Sequence, residues 1–531
     1  MAEVAMPYDL VIAGGRIVDG TGRPAYQGDV AIRDGRIAGV GQLDPRPARR
    51  AIRVDGCVVC PGFVDVHTHS DLFLFSNPRH EPKVRQGVTT EILGQDGMSF
   101  VPASPSTQQI IHEQLAAIDG DLDADWHCFT VAEYLRCLDG HASVNVAYLV
   151  PHMTVRVEVM GLATQPASAG EIARMQQLVA QGMAEGAVGL STGLNYWPAN
   201  YATTDELVAL CRPVADYHGL YVTHLRDYRD RIVAALEEAI YIGEQVGIPV
   251  HISHLNHRAD VVTPPLDSGL ARGVHVTFDL YPYLAGCTVL HQALPAWARV
   301  GSVADTAALL RQPSTRERLT AEFVAAGQDW KNYQISSVRT PANKRYEGKR
   351  LPEAATLAGK SLPEFIIDLL VEEDLHVVVI MFHTHRTDED IRGLMRHSAQ
   401  IFGSDSILLG GYPHPRAYGT FPRTLGTYVR DQHVLTLEEA IRKMTYMPAR
   451  RFGLLDRGLL QPGLAADVVV FNPDTIADKA TYEHPRHFPA GIEYVVVNGK
   501  LVVEASQHTG KTPGQALRPL LKTRGTQRCT P

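Results

Sequence analysis

The middle of the chain repeats one pattern, in which a short apolar strand ends in polar residues and an amphipathic helix follows. A helix in TTDELVALCRPVADYHG, opened by a Thr203–Glu206 capping box, precedes the strand LYVTHLRD. RDRIVAALEEAIYIGEQVG then predicts a helix and IPVHISHLN a strand. GVHVTFDLYPY, DLHVVVIMFH and AQIFGSDS continue the series of strands with polar ends. This alternation predicts an α/β fold built as a (β/α)8 TIM-like barrel, whose active face lies at those strand ends.

The two ends of the chain differ from the middle, because both consist of short strand-like runs separated by hairpin signals. GDVAIRDGRIAGVG, with a hairpin signal at Asp34-Gly35, resembles YVVVNGKLVVE, with a second signal at Asn498-Gly499. Two strand-rich ends flanking a long middle predict one small β-sandwich domain made from residues 1–60 and 456–506.

The barrel is then predicted to span residues 61–455. The alternation of strands and helices is interrupted at about residues 286–350. These residues are rich in Arg, Ala and Pro and are predicted to form a mostly helical or irregular insertion beside the active face. Residues 507–531 are rich in Gly, Pro and Lys and are predicted to be a C-terminal tail on the surface.

Charge and hydropathy restrict the partners of this chain. Of its 531 residues 45% are hydrophobic and 20% charged, the formal net charge is −8, and there is no long basic run. These features argue against nucleic acid and anionic membrane as partners, and no stretch predicts a signal peptide or a membrane anchor. We expect a small-molecule substrate, and a homo-oligomer stays open.

Seven cysteines, odd in number and scattered, fit reduced thiols and a cytoplasmic location. Cys57 and Cys60 form a single CxxC in VDGCVVCPGF, an alternating strand-like stretch without a second CxxC. A structural role is therefore favoured over a zinc or redox site.

Four histidines and one aspartate at predicted strand ends form the candidate metal site. His67 and His69 in PGFVDVHTHSD are two positions apart, so their side chains share one strand face. His224 closes YVTHLRD, His254 closes HISHLNH, and Asp405 follows QIFGS. Imidazole and carboxylate are ligands that Zn²⁺, Mn²⁺ and Fe²⁺ accept, so we expect one or two divalent ions, zinc first, at the barrel mouth.

These motifs resemble the amidohydrolase superfamily. More narrowly, GLSTGLNYWPANYATTDELVAL and PHPRAYGTFPRTLG are similar to the N-acyl-D-amino-acid deacylase (D-aminoacylase) group, and the likeness extends to about residue 505. The resemblance implies a metal-dependent barrel carried on a small β-sandwich. It also implies hydrolysis of an N-acyl-D-amino acid, or a related carboxylate-bearing amide, by metal-bound hydroxide.

Two metal ions about 3.5 Å apart need an anionic bridge. Many relatives use a carbamylated lysine, but this chain has no lysine between Lys83 and Lys331. The deacylase group uses a cysteine in a GNCG-like loop, and the matching loop here, EILGQDGMSF, carries Asp96 instead. Asp96 is therefore the predicted metal bridge. Glu91 is a weaker candidate for the bridge, and the alternative without a functional role is that Asp96 and Gly97 form an ordinary turn that binds no metal.

The resemblance also assigns roles around the metal. Asp405 is the candidate general base and acid. Arg416 in HPRAYGTFPR matches the arginine that binds the substrate carboxylate, which a guanidinium can hold through two hydrogen bonds. Tyr196 in GLNYWP and Tyr283 in DLYPY resemble tyrosines near the substrate, and either is a candidate donor to the oxyanion.

The chain also departs from the group beside the substrate. The group places a lysine two residues after the SHL histidine, whereas this chain has Asn256, whose amide carries no charge. His383 and His385 in MFHTHRTDED form a second HxH, predicted to line the pocket rather than to ligate metal.

Two other functions remain open. One is hydrolysis of a cyclic amide of the hydantoin or dihydroorotate kind on the same scaffold, which the missing lysine bridge disfavours. The other is a catalytically silent binding homologue, which the intact ligand set disfavours.

Overall fold

In the computed structural model of this chain, an eight-stranded parallel sheet forms the central body. The structure describes residues 8–44, 48–122, 126–327 and 329–519. Residues 1–7, predicted to belong to the small domain, and 520–531 of the predicted tail lie outside the described residues. The strands of the central sheet are Phe63–Asp65, Val88–Leu93, Asn145–Pro151, Gly189–Gly193, Leu220–His224, Val250–Ile252, Val276–Leu280 and Gln400–Phe402.

The first and last strands of this sheet meet through their continuations. Thr68–His69 pairs in parallel with Ser406–Ile407, and the Asp405 amide donates to the His67 carbonyl at 2.7 Å. Because these contacts bring the two sheet edges together, the eight strands form a nearly closed barrel. The predicted barrel fold is therefore confirmed.

A buried lysine lies where the barrel closes. Lys83 Nζ donates to Asp65 Oδ2 at 2.5 Å and to Ser404 Oγ at 2.7 Å, and it lies 3.1 Å from Glu91 Oε1. His80 Nε2 lies 2.9 Å from the other oxygen of Glu91. This ionic network ties the first two barrel strands to the segment after the last one, and it occupies Glu91.

Helices cover the barrel and the inserted segment. Each α-helix of the described chain is bounded as follows: Phe73–Ser76, Glu81–Val84, Pro105–Asp119, Val131–Leu138, His152–Met160, Ala169–Ala184, Thr204–Asp216, Ile232–Val246, Ala259–Ala271, Val303–Arg311, Pro313–Ala325, Leu351–Ala358, Leu362–Glu372, Asp388–Arg396, Arg416–Arg423, Leu437–Met444 and Tyr446–Arg451. A π-helix, Thr424–Asp431, continues Arg416–Arg423.

The predicted capping box at Thr203 forms only in part. The Thr203 side chain accepts from the Glu206 amide at 3.1 Å, as expected for an N-cap. The Glu206 carboxylate instead contacts His152 Nε2 at 3.1 Å and Arg156 Nη1 at 2.5 Å, so it does not reach back to the cap.

A nine-stranded, mostly antiparallel sheet joins the two ends of the chain. Val58–Pro61 pairs with Val468–Phe471 from the other end, and the sheet encloses an apolar core with residues from both, including Ile12 and Val496. Its strands are Leu10–Ile17, Tyr26–Arg33, Arg36–Gly41, Ala51–Arg53, Val58–Pro61, Val468–Phe471, Ile492–Val497, Lys500–Glu504 and Gln507–His508. The last strand extends this sheet beyond residue 506, into the predicted tail.

The inserted segment is larger than predicted and contains its own sheet. Ala285–Val289, Tyr333–Ser337 and Val378–Phe382 form a three-stranded antiparallel sheet that packs on a separate apolar core. The expectation that DLHVVVIMFH is a barrel strand is wrong, because Val378–Phe382 pairs with the two inserted strands. An apolar run ending in His looks the same in either sheet, and only the long-range pairing distinguishes them.

Candidate metal centre and cavity

The predicted ligands converge at the carboxyl end of the barrel. His67 and His69 follow the first strand, His224 ends Leu220–His224, and His254 and Asp405 come shortly after their strands. All five side chains are buried or nearly so. Parallel strands present their carboxyl ends at one rim, which is why residues distant in sequence meet there.

Asp96 lies at the centre of this group, on a short 3-10 turn, Gln95–Gly97. Its Oδ1 is 3.5 Å from His67 Nε2, and its Oδ2 is 3.3 Å from His224 Nδ1 and 3.6 Å from His254 Nε2. The ligand atoms form two groups, His67–His69–Asp96 and Asp96–His224–His254, each within 4.8 Å. Asp96 belongs to both, as a bridging carboxylate requires.

The spacing of most of these atoms fits shared coordination better than direct hydrogen bonds, although His224 Nδ1 and His254 Nε2 lie 2.8 Å apart, within hydrogen-bond length. A tetrahedral zinc site with Zn–N bonds of about 2.0–2.1 Å separates neighbouring ligand atoms by about 3.3 Å. His69 Nε2 lies 3.7 Å from Asp96 Oδ2 and 3.5 Å from Asp405 Oδ1, close to that separation and beyond ordinary hydrogen-bond length.

Two of the converging atoms, His67 Nε2 and Asp96 Oδ1, also have no hydrogen-bond partner although they are buried. Buried polar atoms normally have partners, so atoms such as Asp96 Oδ1 and His67 Nε2 are the donor set that a divalent ion would satisfy. The residues present therefore fit a metal.

Hydrogen bonds to the Asp71 side chain and close packing on a barrel strand fix the turn that carries Asp96. Asp71 Oδ1 accepts from the Gly94 amide at 3.1 Å and from Ser99 Oγ at 2.6 Å, on either side of the turn. A Cβ atom at Gly193 would lie 2.2 Å from the Asp96 carbonyl oxygen. The turn therefore packs directly on the strand Gly189–Gly193, which only glycine at position 193 permits.

Three of the candidate ligands have left-handed backbone conformations, with φ of 56° at Asp96, 32° at His254 and 49° at Asp405. For residues other than glycine such a conformation costs on the order of 1–3 kcal/mol and persists only where the surroundings enforce it. Strain at three residues of one group is typical of a functional site.

A carboxylate that the sequence did not single out orients His67. Asp279 Oδ2 lies 3.4 Å from His67 Nδ1 and 3.0 Å from His251 Nε2, and both oxygens are buried. A carboxylate on the far nitrogen of a metal-binding histidine fixes the ring and its tautomer. Asp279 is the next-to-last residue of the strand Val276–Leu280, so a polar residue near the end of a strand was the available signal.

Arg416 contacts the candidate base. Its Nη1 lies 2.8 Å from Asp405 Oδ2, and its guanidinium stacks 4.4 Å above the Tyr281 ring. Burial alone would raise the pKa of Asp405, but Arg416, His254 and His69 hold that pKa well below its usual range. Asp405 is therefore a carboxylate at neutral pH, and Arg416 lies behind it rather than on the cavity surface.

A cavity of about 1140 Å³ opens over the ligand group. The inserted segment supplies one wall, including Cys287, Val289 and Leu294. The lining also includes polar groups from the barrel loops, among them Asn195 and Arg229. The space is large enough for a small organic substrate.

Of the two predicted tyrosines, one lines this cavity. Tyr196 lies on its wall with its ring centroid 4.8 Å from that of His224. Tyr283 is absent from the wall, and its hydroxyl donates to Asp478 Oδ2 at 3.3 Å. Its neighbour Tyr281 lines the cavity instead, because side chains two apart diverge where the strand ends at Leu280.

The remaining predicted positions lie as follows. His383 and His385 line the cavity with ring centroids 5.1 Å apart, and neither belongs to the metal-ligand groups of the described residues. Cys57 is half-buried and Cys60 fully buried in the small sheet domain, and burial raises the pKa of the Cys60 thiol. No helix in the described part of the chain has the length and apolarity to span a membrane.

Known proteins share this architecture and much of the sequence. The profile of the amidohydrolase family matches residues 51–503. The D-aminoacylase of Alcaligenes xylosoxydans xylosoxydans is 36% identical over 97% of this chain and 98% of its own. The N-acyl-D-aspartate deacylase of the same organism is 35% identical over 96% of this chain and 95% of its own.

The solved structures agree. The N-acyl-D-glutamate deacylase of Bordetella bronchiseptica, complexed with zinc and a phosphonate inhibitor, has a TM-score of 0.83 at 34% identity, covering 96% of this chain and 99% of that one. A D-hydantoinase has a TM-score of 0.56 at 16% identity, over 97% of this chain and 100% of its own, so it shares the fold alone. The chain belongs to the amidohydrolase family, in the group of the D-aminoacylase and the N-acyl-D-amino-acid deacylases.

Proposed function

We propose that this protein hydrolyses the amide bond of an N-acyl-D-amino acid, or of a related amide that carries a carboxylate. The observation that carries the proposal is the pair of ligand groups that share Asp96 on the floor of a substrate-sized cavity. The relatives named as D-aminoacylase and N-acyl-D-aspartate deacylase support the substrate class.

His67, His69 and Asp96 would hold one divalent ion, and Asp96, His224 and His254 a second. Such an ion lowers the pKa of a bound water and polarises an amide carbonyl. Four imidazoles favour zinc, and the zinc complex of the Bordetella enzyme supports that choice. The Asp96 carboxylate is a harder ligand than a thiolate, so manganese and iron suit the same atoms.

Asp405 is the group that moves protons. Its Oδ1 faces the metal ligands, 3.5 Å from His69 Nε2, and its low pKa leaves it unprotonated at neutral pH. From there Oδ1 accepts a proton from the attacking water and returns it to the leaving nitrogen, so one residue serves as base and then as acid.

Arg416 and Tyr196 assist this chemistry. Arg416 keeps Asp405 ionised through Oδ2 and so leaves Oδ1 for the proton. Burial, followed by Asp96 and Asp405, raises the pKa of Tyr196 well above its usual range, so its hydroxyl stays protonated and donates to the developing oxyanion. The roles of Arg416 and Tyr283 as direct substrate contacts stay predictions.

Hydrolysis of a cyclic amide is the less favoured alternative. Hydantoinases share only the fold with this chain. Lys83, the last lysine before Lys331, is engaged with Asp65 and Glu91 at the barrel closure, so it does not supply a bridging group.

A substrate screen tests the proposal. Metal-replete enzyme is assayed against paired D- and L-N-acyl amino acids and against cyclic imides, with bound metal measured in the same preparation. We expect turnover of D-configured N-acyl amino acids. Turnover of cyclic imides alone would favour the alternative, and a protein that purifies with far less than one equivalent of metal and hydrolyses nothing would be a silent binding homologue.

We also propose a cellular location for this protein. The described cysteines are free thiols, which supports a reducing compartment such as the cytoplasm. Assembly into a homo-oligomer and the absence of nucleic-acid partners stay predictions, which light scattering and a binding assay would check.

A further inference from the structure

Cys128 and Cys137 bring two free thiols together beside the helix Val131–Leu138. The two sulfur atoms lie 2.9 Å apart, and neither cysteine is in a disulfide. Because a disulfide bond is about 2.05 Å long, the sulfur atoms would have to approach each other by less than about 1 Å to bond. The pair is therefore positioned for reversible oxidation.

Local structure holds both cysteines in place. Cys128 lies two residues before Thr130, which caps the helix Val131–Leu138 through a complete capping box. Cys137 lies in the last turn of the same helix. The Cys128 carbonyl also accepts from Gln108 Nε2 at 2.7 Å. Since the cap and this bond fix the segment before the helix, the sulfur atoms can join without a large backbone movement.

The two thiols differ in exposure and in protonation. Cys137 is half-buried and reachable from solvent, whereas only 3% of Cys128 is exposed. Burial, followed by the hydrogen bond to Cys137, raises the pKa of Cys128 to about 12, so this thiol stays protonated and can donate to its neighbour. Cys137 is therefore the sulfur that an oxidant meets first, and Cys128 is the one that reacts with it afterwards.

The CxxC motif of the small domain does not form such a pair. Cys57 packs against the apolar core of the small sheet, whereas Cys60 belongs to the larger core that it shares with the barrel helices. Their side chains therefore point to different cores, as expected for residues three positions apart along a strand. Within the described part of the chain, Cys57 has no sulfur neighbour at hydrogen-bond distance.

We propose that Cys128 and Cys137 form a redox modification site, which a hydroperoxide closes to a disulfide and a thiol reductant opens again. The inference goes beyond the proposed function, because neither cysteine lines the cavity over the metal centre. In a reducing compartment the pair rests as two thiols, and it closes when peroxide is present.

The chemistry proceeds in two balanced steps. The Cys137 sulfur attacks one peroxide oxygen, the O–O bond breaks, and the released hydroxide takes the proton of the Cys137 thiol, which gives water and a sulfenic acid. The Cys128 sulfur then attacks the Cys137 sulfur, and the Cys128 proton leaves with the hydroxyl group as a second water. The two thiols together lose two hydrogen atoms, and the peroxide is reduced to two waters.

Peptide mapping tests the site, because trypsin cleaves between the two cysteines at Arg136. Cys128 then lies in the peptide 86–136 and Cys137 in the peptide 137–156, and neither peptide contains another cysteine. Full-length protein is freed of reductant, treated with hydrogen peroxide, alkylated and digested without reduction. We expect the two peptides to be joined, with loss of two of the seven thiols of the chain, and dithiothreitol to separate them again.

Two variants distinguish this pair from general thiol reactivity. In Cys128→Ser the second sulfur is missing, so peroxide should leave a sulfenic acid at Cys137 that dimedone labels. Cys57→Ser is the matched control, because Cys57 is also half-buried, and this variant should form the same joined peptide as the wild type. Separate peptides after peroxide treatment of the wild type, or a covalent dimer linked through these cysteines, would overturn the inference.

Discussion

At the scale of single residues, the shared carboxylate of Asp96 decides whether the metal centre forms. Asp96→Ala removes a ligand from both groups, so we expect loss of bound metal together with a fall in activity of more than about 100-fold, beyond the range for outer-shell partners. Metal analysis and kcat/KM on the same sample measure both effects.

Two variants make the test of Asp96 specific. Asp96→Cys offers a thiolate at the same position, and we expect it to keep metal and to favour zinc over manganese. Glu91→Gln alters the buried network around Lys83 and should lower stability without lowering the metal content per folded molecule. Full metal occupancy in Asp96→Ala would remove Asp96 from the site.

A residue's place in the site could be predicted from the sequence where its position on a strand or loop alone determines where its side chain points. His67, His69, His224, His254, Asp96 and Asp405 meet because they follow barrel strands or align with a ligand loop. Asp279 and Tyr281 were missed, because their roles depend on partners far away in sequence, which no local pattern encodes.

At the scale of elements, the contact between the turn Gln95–Gly97 and the strand Gly189–Gly193 positions the metal bridge. A methyl group at Gly193 would meet the Asp96 carbonyl at 2.2 Å, so Gly193→Ala should displace the turn and lower metal affinity although every ligand is present. Chelator competition measures this loss. Gly170→Ala, in a helix with no atom within 4 Å of the new methyl, is the control and should bind metal as the wild type does.

The inserted segment carries a pH-sensitive histidine in its packing. Burial lowers the pKa of His291 to about 4; its bond to the Leu375 carbonyl opposes this shift, and Arg299 and His376 add to it. Between pH 6.5 and 4 the unfolded chain therefore binds a proton at this histidine that the folded chain does not. We expect His291 to reduce the free energy of unfolding by about 2 kcal/mol on going from pH 7 to pH 5.

Urea denaturation at pH 7 and pH 5 measures this slope. His291→Gln should have a smaller loss of stability on acidification than the wild type, whereas His484→Gln, at an exposed position, should keep the wild-type loss. Equal slopes for the wild type and His291→Gln would contradict the assignment.

Elements were predictable where short-range pattern and pairing coincide. The barrel strands and the hairpins at Gly35 and Gly499 are of this kind. Val378–Phe382 was misassigned because its apolar run fits a parallel and an antiparallel sheet equally, and its partners Ala285–Val289 and Tyr333–Ser337 are distant.

At the scale of the whole molecule, the ligands link separate strands across the barrel mouth, so bound metal should stabilise the entire fold. An ion present at about 100 times its Kd adds about 2.7 kcal/mol to stability, which shifts the melting temperature of a protein of this size by roughly 2–3 °C. Calorimetry before and after chelation, and after zinc is returned, measures the shift. Asp96→Ala should be insensitive to the chelator, and a wild-type melting temperature that is unchanged after verified metal removal would refute this expectation.

The pairing of Thr68–His69 with Ser406–Ile407 also sets an order of events during biosynthesis. Asp405 leaves the ribosome long after the first histidines, and until it does the nascent barrel has an open seam beside His67. The pairing of the strand Val58–Pro61 forms later still, because its partner Val468–Phe471 is translated after Asp405. Maturation of the centre is therefore a late step, so a truncated translation product that ends before Asp405 would expose its imidazoles without the acidic residue needed to complete the pocket.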